Sequence, residues 1–323
     1  MKTALITAIG GDIAQGVATV LREIYPGCRV IGTEIHDRHA GEKFANTVCL
    51  APRASEPHYL EWLAGLVARE GVDLCIPMSE AEMLVLAEED CREIAGARLV
   101  MANREAIRVG CDKLATAQFL AAIGCPAPWT VDADNLDREV PLPCIFKSRR
   151  GAGSKVVFVC ETAEDVRFYR AKYPAAILQE LLLPADREVT CAIFRTRDGR
   201  VAVLQLLRTL VGGFTGWARV IHDAEVLRQC TAIAEALNLV GSVNAQLRLT
   251  AAGPRIFEIN PRFSSTLLMR HLIGFQDVAW AIRDALGEAV AFTVPAVGTT
   301  VARIQGAAVL NNAGDGGVPW QST

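Results

Sequence analysis

Short apolar runs alternate with stretches of helical periodicity through the first hundred residues. Residues 2–9 read as a strand, and residues 13–23 as a helix that opens after Gly10 and Gly11. Residues 29–33 give the next strand, with Glu34 at its end, and residues 45–50 another. Leu60, Leu63, Leu66 and Val67 recur at helical spacing until Gly71, and the strand-like residues 74–76 stop at Pro77. Residues 80–94 then read as a further helix. Such alternation builds a parallel sheet covered on both faces.

The pattern changes past residue 110. A helix over 112–123 ends at Gly124, ahead of Pro126 and Pro128. Residues 143–147 and 156–159 read as strands around a Gly-rich turn, followed by a helix over 161–173. Strands at 177–182, 188–195 and 200–207 follow, the last two joined by the turn signal Asp198-Gly199. A helix over 224–237 precedes a hairpin of 242–249 with 255–259, and helices cover 267–272 and 275–286. The result is a doubly wound first half and a mixed second half, with a mobile tail expected over 311–323.

Composition narrows the function classes. The 323 residues are 51% hydrophobic and 21% charged, which suits a folded protein rather than a disordered one. Thirty-three Lys and Arg against 36 Asp and Glu give net charge -3, which lends no support to a nucleic-acid partner. The apolar run behind Met1 is cut by Gly10 and Gly11, too short for a secretory signal, and no stretch has the length of a membrane span. A cytoplasmic protein with no membrane partner is expected. The ten cysteines are scattered without a CxxC pair, so they read as reduced packing residues.

Gly10 and Gly11 between strand and helix do not match the GxGxxG spacing, and Glu34 alone is a poor substitute for a ribose-binding acid. Tight helix–sheet packing, or the edge of another substrate pocket, is the better reading. The sharper chemistry lies in the 242–259 hairpin. Its two strands can set Gln246 opposite Glu258, while Glu258 and Asn260 share a face and Arg262 follows. One carboxylate and two amide oxygens offer hard ligands for Mg²⁺, and Arg262 can pair with a phosphoryl oxygen. A hydrogen-bonded hairpin edge is the alternative.

Lys147 ends an apolar strand just before a turn containing Arg149, Arg150, Gly151, Gly153 and Ser154. Side-chain charge and backbone amides there suit phosphates, although the lysine precedes the glycines and no Walker A pattern exists. Lys113 stands at a helix start, where a cation gains little from the dipole. The 177–182 edge can hold an adenine around Glu180 to Leu182, with Glu188 near the ribose, or Glu188 simply begins a strand in water.

In order and separation these segments resemble the ATP-grasp superfamily, most closely the branch around the carbamoyl-phosphate synthetase large subunit and related carboxylate–amine ligases. The resemblance runs from about residue 3 to 290 through ITAIGGDIAQG, GVDLCIPMSEAE, DKLATAQFLAAIGCPAP, PCIFKSRRGAGS, ILQELL, REVT, GSVNAQLRL and IFEINPRFSST. It implies an α/β ATP-grasp fold with an N-terminal Rossmann-like (preATP-grasp) domain over 1–105. A small subdomain with the phosphate-covering loop would span 106–178, and a C-terminal subdomain with the metal site 179–295. Residues 296–323 would be a partly flexible extension.

The resemblance further implies roles. Lys113 and Lys147 would hold ATP phosphates under a loop containing Gly151, Gly153 and Ser154. Glu180 and Leu182 would flank adenine, and Glu188 would meet ribose. Gln246, Glu258 and Asn260 would bind Mg²⁺, with Mn²⁺ as a substitute, and Arg262 with Lys147 would act at the transferring phosphoryl group. The first metal position, often Glu in the superfamily, is Gln here as in the carbamoyl-phosphate-like branch. The chain corresponds to one ATP-grasp unit with no glutamine amidotransferase domain, so carbamoyl phosphate synthesis by this chain alone is not expected.

Such enzymes convert a carboxylate to an acyl phosphate that an amine then attacks, so the expected partners are a small carboxylate and a small amine. The resemblance also allows a homodimer. Arg208 and Arg219 flank a flexible segment with Trp217, and either arginine could clamp a substrate carboxylate; a packed Trp with solvated arginines is the competing reading. Ser264 and Ser265 could orient substrate or cap a helix. Two other functions stay open: a small-molecule or carbamate-like kinase, and a non-catalytic nucleotide-binding regulatory or assembly protein.

Overall fold

The computed structural model describes residues 1–89, 92–136, 139–151, 156–304, 306, 307 and 310. Gly153, Ser154, Cys91 and the whole of the expected tail at 311–323 lie outside the described residues.

The N-terminal sheet contains β1 (Thr3–Ile6), β2 (Arg29–Glu34), β3 (Thr47–Leu50), β4 (Leu74–Ile76), β5 (Glu93–Ile94) and β6 (Ala97–Leu99) in the order β3-β2-β1-β4-β6-β5. All its pairings are parallel except β5 with β6. Helices α1 (Asp12–Ile24), α2 (Tyr59–Glu70), α3 (Glu80–Glu88) and α4 (Arg104–Gly110) accompany it. Ala4 and Ile6 face a core with α1, while Leu5 and Ile31 face Leu63 and Leu66 of α2, which is why β1 reads as an unbroken apolar run. The helix expected over 80–94 stops at Glu88. Ala95 and Gly96 take positive φ and turn the chain into the β5–β6 hairpin, so Ile94 belongs to a strand.

Helix α5 (Lys113–Ala122) leads to a second, antiparallel sheet of β7 (Thr130–Asp132), β8 (Cys144–Ser148), β9 (Val157–Cys160) and β10 (Ala176–Glu180), ordered β7-β10-β8-β9. Strand β10 runs through positions 178 and 179, so the subdomain division expected there cuts a continuous strand. Helix α6 (Ala163–Lys172) brings Tyr169 onto Phe158, ring centroids 4.2 Å apart and stacked.

The third sheet orders β15-β14-β11-β12-β13-β16, all antiparallel: β11 (Glu188–Arg195), β12 (Val201–Val211), β13 (Phe214–Ile221), β14 (Gly241–Thr250), β15 (Gly253–Asn260) and β16 (Thr300–Ala302). Helix α7 (Ala224–Ala236) covers one face through Cys230 and Ile233 on Cys191 and Ile193. The opposite face, through Phe194, Leu204 and Leu206, joins α1, α8 (Leu267–Leu272) and α9 (Asp277–Leu286) in one core around Trp280. Gly16 makes this junction possible. A Cβ there would meet Leu267 Cδ1 at 2.8 Å. Eight of the nine described cysteines are buried free thiols, Cys49 being half-buried. Among the described residues, no helix is long and apolar enough to cross a membrane.

Candidate active site

A cleft of about 350 Å³ opens between the second and third sheets and reaches the first turn of α1. Lys113, Lys147, Gly151, Glu180, Leu182, Glu188, Arg208, Gln246, Glu258, Asn260, Arg262 and Ser264 all line it. These residues come from distant stretches of chain, so the fold rather than local sequence assembles the set.

Its floor is the β14–β15 hairpin. Gln246 is directly paired with Glu258, and Asn244 with Asn260. The register then shifts: Leu247 opposes Ile256, leaving Phe257 as the extra residue of a bulge. Neighbouring strand residues normally face opposite sides, but a bulge relaxes that rule. Phe257 and Glu258 consequently both line the cleft. Gly110 of α4 supports the next segment from behind, since a Cβ there would meet Pro261 at 2.7 Å.

Alternation along β8 sends Phe146 into the second sheet's core and Lys147 toward the cleft. The Lys147 ammonium lies 5.5 Å from the centroid of the Phe257 ring and is almost fully buried. Burial disfavours the charged ammonium and lowers its pKa to about 8, against an opposing pull from Glu258. Lys113 opens α5, whose N-cap Asp112 accepts from the Leu114 and Ala115 amides. Its Nζ donates to the Gly151 carbonyl at 2.9 Å and lies 3.8 Å from Glu258 Oε1. Arg149 and Arg150 are turned away from this role, because both pair with Asp112. Burial pushes the Asp112 carboxyl upward, but the Arg149 hydrogen bond and the α5 amides carry it below its ordinary range.

The cleft's second end is formed by β10 and the loop after it. Glu180 turns its carboxylate to Arg255 at 2.6 Å and accepts from the Trp129 amide, which leaves its backbone and Leu182 as the lining groups. Glu188 is clamped: Arg208 holds Oε1 at 2.5 Å and Arg248 holds Oε2 at 2.7 Å. Arg208 also donates to Thr215 at 3.2 Å, so it is engaged rather than poised for a substrate carboxylate.

The remaining substrate expectations divide. Ser264 lines the cleft, but its hydroxyl accepts from the fully buried Arg270, which is paired in turn with Asp277 at 2.7 Å. Trp217 and Arg219 are not brought to the cleft. Ala218 between them faces the core, so strand alternation sends its neighbours to the outer side, where Trp217 is 40% exposed. Arg262 reaches Glu80 at 3.5 Å and the Phe263 carbonyl at 3.1 Å. The sequence reading missed Arg248, although it stands two strand positions from Gln246, and missed Asp12, Phe214 and Glu80.

A family model described as "ATP-grasp in the biosynthetic pathway with Ter operon" matches residues 172–307. The structure of an N5-carboxyaminoimidazole ribonucleotide synthetase in complex with ADP superposes with a TM-score of 0.74 over 93% of this chain and 80% of that one, at 17% identity. The chain has the ATP-grasp architecture, and its residues 172–307 resemble that ATP-grasp family. The carbamoyl-phosphate synthase of Methanobrevibacter smithii is 20% identical over 269 residues, 80% of this chain and 70% of that one. Human carnosine synthase 1 is 26% identical over 170 residues, 45% of this chain. The match spans only 21% of that relative's own length.

Proposed function

We propose that this ATP-grasp protein is a Mg-ATP-dependent ligase that converts a small carboxylate to an acyl phosphate and passes the acyl group to an amine, releasing ADP and phosphate. The observation that carries the reading is the convergence of Lys113, Lys147, Gln246, Glu258, Asn260 and Arg262 on one cleft. The donor set fits a magnesium ion, being hard oxygens only. Gln246, Glu258 and Asn260 would hold it, and their single negative charge suits a metal that also binds nucleotide phosphates. When bound, the ion would neutralise charge on the phosphoryl group being transferred.

The chain's own groups do the rest. Lys147 presents a desolvated ammonium to the phosphates, where low surrounding polarity strengthens the attraction. Lys113 adds a second cation and ties α5 to Gly151. Arg262 meets charge that develops as the phosphoryl group moves to the carboxylate oxygen. The amine then attacks the acyl carbon, its proton leaves, and the acyl C–O bond breaks to release phosphate. No protein nucleophile is needed; the described cysteines are mostly buried.

The test is ADP release with Mg-ATP over carboxylic acids, bicarbonate included, crossed with amino acids and other amines, read with mass spectrometry. A condensed mass that requires both substrates supports ligation. A stable phosphorylated acid formed without amine would favour the kinase instead.

A further inference from the structure

The two ends of the cleft present different charged groups. Lys113, Lys147 and Arg262 stand around the hairpin floor, whereas the end formed by α1 and the β12–β13 turn presents Asp12. Asp12 is the first residue of α1. Its side chain is about half exposed, at 47%. Among the described residues only Arg303 pairs with it, through Nη1 to Oδ2 at 3.5 Å, and Oδ1 accepts no hydrogen bond.

Arg303 is held in place by other groups. Its Nε donates to the Thr215 carbonyl at 3.1 Å, its Nη2 to the Ser265 carbonyl, and its guanidinium lies 5.6 Å from the Phe214 ring centroid. Arg303 does not line the cleft, whereas Asp12 does. The surrounding wall is apolar: Ile13, Leu210 and Phe214, the last two 44% and 51% exposed. A free carboxylate oxygen beside an open aromatic and aliphatic surface recognises a cation joined to an apolar group.

We infer that this end of the cleft binds a primary ammonium carrying an apolar substituent, with Asp12 accepting from the ammonium and Phe214 and Leu210 covering the substituent. The identification of this amine as the acyl acceptor rests on the ligase reading; its binding does not. Arg303 is a positioning residue that keeps Asp12 facing the cleft.

Calorimetric titration of the full chain with Mg-ADP present, using 2-phenylethylamine and its neutral analogue 2-phenylethanol, tests the inference. The amine should bind about fivefold tighter, the scale of a partly exposed ion pair. Asp12→Asn should abolish that preference, Asp12→Glu should restore it, and Phe214→Ala should weaken both probes. Equal affinities in the wild type, no binding of either probe, or a preference that survives Asp12→Asn would overturn it. Failure of the ligase reading looks different: the amine preference would stand while no condensed product formed.

Discussion

The two ends of the cleft are built by different means. The floor is built on paired strands: a hairpin whose register sets Gln246 opposite Glu258 beside a single bulge, and a strand whose alternation points Lys147 inward. The far end is assembled from pieces remote in sequence, with Asp12 and Arg303 separated by 291 positions. Regular strands propagate a period of two from the sequence into space. Contacts between loop ends and helix starts carry no such period. The floor is thus suited to chemistry common to many substrates, and the far end to choosing among them.

That contrast can be broken from its support outward. Asp277→Ala would leave the fully buried Arg270 charge unpaired behind Ser264 and should cost about 3–5 kcal/mol of stability, read by denaturant unfolding. Glu258→Ala removes the carboxylate proposed to hold the metal and should reduce ADP release about 10²–10³-fold while cooperative unfolding persists. For Lys147 the sign follows from its lowered pKa. The ammonium is mostly charged below about 8, half deprotonated at that value and neutral well above it, so ATP affinity should fall as pH rises through it. Calorimetry across that range should show proton uptake on ATP binding, and Lys147→Arg, with its higher pKa, should shift the fall in affinity upward. Trp217→Ala, outside the cleft, should change turnover by less than about twofold, within the roughly 0.5 kcal/mol expected for surface changes.

The legible parts of the sequence were those where one periodicity dominates. The helix carrying Leu60, Leu63, Leu66 and Val67 ends ahead of Gly71 as expected, Leu267–Leu272 keeps its expected bounds, and the Gln246–Glu258 pairing follows from hairpin geometry. Strand β13 was missed because Gly212, Gly213 and Gly216 read as flexibility. Gly212 and Gly213 in fact make the turn at positive φ, and Gly216 allows the close approach of Val211 at an irregular register. Misreading that strand as a loop is what promoted Trp217 and Arg219 to substrate contacts. Arg208 does line the cleft, but its pairing was not legible: its partner Glu188 is twenty positions away, on a neighbouring strand that local sequence cannot place.

The most direct test of the ligase account follows an oxygen atom. With the carboxylic acid identified by the substrate array and labelled with ¹⁸O, an acyl-phosphate route transfers one labelled oxygen into the released phosphate. The account predicts that label in phosphate formed together with the condensed product. Condensation with unlabelled phosphate, the acid keeping all its label but the oxygen lost to water, would contradict it.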